Sequence, residues 1–170
     1  MENIKILKPI NLQEEVVNIL NERIRDEYTA HYFYRNATNW CKDMNYEKAA
    51  KFFEDEANNE LEHAKMLQDY ITSWNVLPTI QQVDPGKPTF KNLVEIINSA
   101  YKLEYNLLVD YNETSSKLFN IDLTTFDFLQ QFRTIQKDSV SEYSDLLNAL
   151  ELINVDNKFE ILYFENNYFK

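Results

Sequence analysis

Five side chains able to hold a metal ion interrupt otherwise apolar stripes in this sequence: Glu27, Glu60, His63, Glu104 and Gln136. At helical spacing one stripe reads Val16, Leu20, Ile24, Glu27, Ala30, Tyr34, and a second reads Phe53, Ala57, Glu60, His63, Leu67, Tyr70, Trp74. A third carries Glu104 between Ala100 and Leu107, and a fourth carries Gln136 between Phe132 and Val140. Residues three or four apart share a helix face, so Glu60 and His63 point the same way. An isolated carboxylate in a core is strongly unfavourable. Taken singly, each of these residues has an ordinary explanation: a Glu bonded to a tyrosine such as Tyr34, or a satisfied core histidine. Convergence of all five at one depth needs a cation. Carboxylate oxygens with one imidazole suit ferrous iron, and two divalent ions would neutralise the cluster.

The elements that must position these groups are four long periodic segments, roughly residues 12–40, 46–75, 90–119 and 123–152, with a short one at 158–168. Helix-start signals fall at Asn11 with Glu14, at Asn45, at Thr89 after Pro88, and at Asn157 with Glu160. Short connections make the first and second segments, and the third and fourth, antiparallel neighbours. Residues 76–88, VLPTIQQVDPGKP, hold three of the four prolines and the only glycine, and are long enough to run the length of a bundle. The expected fold is all-α: a four-helix bundle over 12–152 with one long crossover and a short fifth helix, in a single domain spanning 1–170.

Composition narrows the function. With 170 residues and 44% hydrophobic content, the chain can build one substantial core. A net charge of −11 argues against nucleic acid and favours cations as partners. No run approaches ~18 apolar residues, and the N-terminus MENIKILKPI lacks the blocks of a secretory signal, so a soluble cytoplasmic protein without a membrane partner is expected. The lone Cys41 agrees with a reducing compartment.

These residues resemble the prokaryotic non-haem ferritins almost end to end. LNERIRDEYTAHYFY is similar to the first helix of that family, NNELEHAKMLQDYI to its second-helix signature, YKLEYNLL to its third, FDFLQQFRTIQ to its fourth and ILYFENN to the start of its fifth. The resemblance implies a homo-oligomeric cage of twenty-four chains that stores ferric mineral. It also implies a ferroxidase centre in each chain that oxidises two Fe(II) with dioxygen or peroxide. One iron would be held by Glu27, Glu60 and His63, the other by Glu60, Glu104 and Gln136. Tyr34 would lie beside the centre, donating an electron or a hydrogen bond, or serving structure alone.

Departures from the pattern carry expectations of their own. Positions that supply a third iron site in relatives read Asn59, Ile135, Asp138 and Ser139, so only one acid remains and a third site is not expected. Haem is not expected either, because Leu61 stands where the haem-binding relatives carry methionine. Gln136-Lys137-Asp138-Ser139 replaces a second Glu-x-x-His, which weakens a rubrerythrin-like oxidoreductase. A non-catalytic ferritin-like shell is the other competing class, and the intact ligand set argues against it. Asp127 is either a channel acid or a helix-start residue, and His31 is a polar surface or interface residue rather than a ligand.

Overall fold

The computed structural model describes residues 11–169; the N-terminal stretch discussed above, residues 1–10, and Lys170 lie outside the described residues. The described residues form six helices: α1 Glu14–Asp43, α2 Glu47–Ser73, α3 Leu93–Leu118, α4 Leu123–Phe128, α5 Gln130–Leu150 and α6 Lys158–Tyr168. Helices α1 and α2 pair with each other, as do α3 and α5. Across the first pair His31 meets the Ala57 carbonyl and Arg35 meets Glu54, so the helices run antiparallel and Glu27 arrives level with Glu60 and His63.

Three of the four expected helix starts are corrected. Asn45 does not begin α2; it ends α1, with φ of 61°, Tyr46 N–H donating to the Cys41 carbonyl at 2.9 Å and Asn45 N–H to the Lys42 carbonyl at 3.3 Å. Asparagine tolerates that left-handed conformation, which closes the last helical turn. Asn75 closes α2 in the same way, with φ of 62°. The cap position of α1 is Gln13, not Asn11, and that of α3 is Asn92, not Thr89. Asn92 accepts from Glu95 N–H at 2.8 Å while the Glu95 carboxylate takes Lys91 N–H, a reciprocal arrangement at the helix start. Asn157 caps α6 as expected.

The expected fourth helix is interrupted at Leu129, where ψ closes to −7° between α4 and α5. Side chains take up carbonyls at the break: Gln131 donates to Phe128 at 2.9 Å and Arg133 to Phe126 at 3.4 Å. Asp122, rather than Asp127, is the helix-start acid, accepting from Thr125 N–H at 2.8 Å. Asp127 is exposed near the end of α4.

The crossover lies along α1, held by Asn21 accepting from Thr79 N–H at 2.9 Å and Asn36 donating to the Pro85 carbonyl at 2.7 Å. Those two asparagines are separated by about 22 Å of helix, at 1.5 Å per residue. Gly86, with φ of 72°, supplies the turn at its far end. Helix α6 is locked to α2 through Glu165, whose buried carboxylate accepts from Lys48 and Ala49 N–H and so caps the α2 N-terminus from a distant part of the chain.

Two apolar clusters fill the bundle. One gathers Ala30, Tyr34, Phe53, Ala57, Ala100 and Phe164, and the other gathers Leu20, Ile24, Leu67, Ile71, Tyr111 and Phe132. Each fully buried Leu, Ile or Phe contributes roughly 1.5–3 kcal/mol through area removed from water. Glu27, Glu60, Glu104 and Gln136 belong to neither cluster and occupy the level between them. Among the described residues no helix is long and apolar enough to cross a membrane.

Candidate metal centre

Antiparallel pairing of α1 and α2 brings Glu27 against the Glu60/His63 face. His63 Nδ1 lies 2.9 Å from Glu60 Oε2 and 3.5 Å from Glu27 Oε2. One ligand atom from each of these residues falls within 4.8 Å of the others. Donors about 2.1 Å from a common divalent ion stand at most about 4.2 Å apart, so this trio closes on an ion through side-chain shifts of roughly half an ångström. It is the one such group of histidine, cysteine or acidic side chains among the described residues.

Glu104 lies outside that trio. It is fully buried, and the Tyr34 hydroxyl donates to its Oε1. Gln136 is 1% exposed. Apart from Asp26 Oδ2, which pairs with Arg23 at 2.7 Å, three buried oxygens among the described residues have no hydrogen-bond partner: Glu27 Oε2, Glu104 Oε2 and Gln136 Oε1. Unsatisfied polar atoms at this depth cost about 1–3 kcal/mol each, more when charged. Every one of these oxygens belongs to a residue singled out by its place in an apolar stripe, and every one is an acceptor suited to a cation.

Burial of several carboxyls at one level shifts their protonation. Burial, followed by the nearby Glu27, pushes the Glu60 carboxyl well above the usual carboxylate range. Burial also opposes ionisation of Glu27, but His63 and Glu60 outweigh it and hold that carboxyl below its ordinary value. Two carboxyls this close and this buried favour sharing one proton between them. Burial pushes Glu104 up to about 8, against the lowering effect of the Tyr34 hydroxyl. A divalent ion would displace these protons and supply the same neutralisation.

Several neighbours were not legible as part of the site. Tyr111 sits on the α3 stripe as an apparently apolar residue, yet its hydroxyl donates to Glu27 Oε1; its only signal is a polar tip two turns from Glu104. Glu56, one turn before Glu60, is half-buried and accepts from Tyr143 and Asn59 at 3.3 Å each. Burial, then Glu142, raises its carboxyl. His31 is half-buried, its Nδ1 2.7 Å from the Ala57 carbonyl, and is not part of the trio. Asp138, the one acid left at the positions of a third site, pairs with Lys137 at 2.8 Å on the exposed surface.

Fold and cluster together define a four-helix-bundle protein of the carboxylate-rich kind. Residues 17–153 match the family model Ferritin, described as a ferritin-like domain, and the chain belongs to that family. It is 29% identical over 142 residues to the bacterial non-heme ferritin of Escherichia coli, covering 83% of this chain and 86% of that protein. A non-heme ferritin-like protein of Haemophilus influenzae is 28% identical over 148 residues, covering 86% and 90%. The open-pore ferritin of Archaeoglobus fulgidus superimposes with a TM-score of 0.87 at 19% identity, covering 93% of this chain and 98% of that one.

Proposed function

We propose that this protein is an iron-storage ferritin that oxidises Fe(II) at the buried carboxylate centre. The observation that carries this reading is the set of buried oxygens without a hydrogen bond on Glu27, Glu104 and Gln136, beside a trio already gathered to within 4.8 Å. Two Fe(II) bind as substrate, one by Glu27, Glu60 and His63, the other by Glu104 and Gln136 with Glu60 shared between them. Each iron gives one electron, and dioxygen or peroxide takes the two; carboxylates stabilise the Fe(III) product better than Fe(II), which favours the forward step. Tyr34 orients Glu104 through its hydroxyl.

Storage requires a shell. Phe159, Leu162 and Tyr163 on α6 and Leu77 and Ile80 on the crossover are exposed apolar side chains that a second copy would cover. We infer a single-domain subunit of a twenty-four-chain cage in the cytoplasm, without haem, Leu61 lying in the place of a haem ligand.

The test is oxygen uptake and ferric absorbance after adding about two Fe(II) per chain in air. Wild type oxidises the iron rapidly, whereas Glu60→Ala and His63→Ala fall to the rate of iron in free solution. Equal rates for all three remove the ferroxidase reading.

A further inference from the structure

The carboxylates of Glu27 and Glu104 are held in the same manner, each by a tyrosine hydroxyl. Tyr34 donates to Glu104 Oε1 and leaves Oε2 without a partner; Tyr111 donates to Glu27 Oε1 and leaves Oε2 without a hydrogen bond. For Glu27 that remaining oxygen is the one facing His63 Nδ1 at 3.5 Å. A glutamate's terminal torsion is broad and roughly two-fold, so an untethered carboxylate would turn away from the imidazole much of the time. The phenol prevents this by occupying one oxygen, which directs the other.

Tyr111 is itself fixed. It is fully buried, its ring stacks on Phe132 with centroids 5.2 Å apart and planes 13° apart, and the Arg23 guanidinium lies 6.0 Å from its centroid. Arg23 is held by Asp26 at 2.7 Å and Thr114 at 3.1 Å, and keeps a buried Nε without a hydrogen-bond partner. Four helical residues from α1, α3 and α5 thus hold one phenol at one oxygen of Glu27.

We propose that Tyr111 is a positioning residue for the Glu27/Glu60/His63 iron site: it presents Glu27 Oε2 to the first Fe(II) and so sets the affinity of that site and not of its neighbour. The inference rests on the metal-centre reading above. Tyr34 acts as its counterpart for the site containing Glu104. Because the Tyr111 hydroxyl donates to Glu27 and the Tyr34 hydroxyl to Glu104, loss of the Tyr111 hydroxyl leaves the Tyr34–Glu104 hydrogen bond in place.

The test is anaerobic calorimetric titration of the purified protein with Fe(II), using His63→Ala to assign the binding step that belongs to the trio. Tyr111→Phe keeps the ring against Phe132, and its fold is checked by its far-UV circular dichroism and melting curve. Loss of one orienting hydrogen bond should weaken the assigned step roughly tenfold and leave the other step unchanged, while Tyr34→Phe does the reverse. An unchanged first step in Tyr111→Phe overturns the proposal, as does equal weakening of both steps. Wild-type protein that binds no Fe(II) at all overturns the metal-centre reading and this inference with it, so the two failures are distinct.

Discussion

Glu104 makes the chemistry of the centre measurable. Its carboxyl has an ordinary value of 4.5 and sits at about 8 in the folded protein, so the folded chain retains a proton that the unfolded chain sheds between those values. A carboxyl raised in this way gives stability that is complete below its unfolded value and is lost as pH rises through its folded one. Glu60 is raised as well and acts with the same sign. The melting temperature of metal-free protein should therefore fall as pH is raised from about 5 to about 8, and Glu104→Gln, which needs no proton to stay neutral, should flatten that slope. A melting series at several pH values checks it; a wild-type curve level over this range contradicts the assigned protonation. Loading a divalent ion near neutral pH should release protons, since the ion replaces them. The candidate ligand residues were visible in the chain as polar interruptions of apolar stripes. Tyr111 was not, because a buried tyrosine serves a core equally well as an apolar body, and only the partner of its hydroxyl reveals the second use.

Helices hold these residues at one level through devices that differ in how openly the sequence displays them. Four helical segments and the crossover follow from apolar periodicity and from the placing of proline and glycine. Caps were less legible, because an asparagine suits both a helix start and a left-handed helix end: Asn92 is the first kind and Asn45 the second. The interruption at Leu129 has no proline or glycine to announce it and is accommodated by Arg133 and Gln131 reaching the carbonyls at the break. Least visible was Glu165, since the residues it caps lie 116 and 117 positions away. Its carboxylate meets two N–H groups at the positive end of α2, so Glu165→Ala should destabilise the protein by about 1–2 kcal/mol. Urea unfolding of the two proteins measures this, with an unchanged midpoint counting against the capping role. Glu165→Gln retains an acceptor and should lose less.

The molecule as a whole is two apolar clusters with a polar level between them, and that level holds the candidate metal-binding groups. Burying acids there opposes folding of the metal-free chain, while the clusters on either side supply the apolar burial that sustains it. A net charge of −11 draws cations toward the surface. If copies meet through α6, Phe159→Asp with Leu162→Asp should shift the assembly toward smaller species by native mass spectrometry, whereas wild type should form a large closed shell. Anaerobic soaking of crystals with Fe(II), followed by anomalous diffraction at the iron absorption edge, tests the central claim most directly. Two peaks in each chain are predicted, one among Glu27, Glu60 and His63 and one among Glu60, Glu104 and Gln136. Absence of iron from this level of the bundle, with peaks confined to surface acids, would contradict the account.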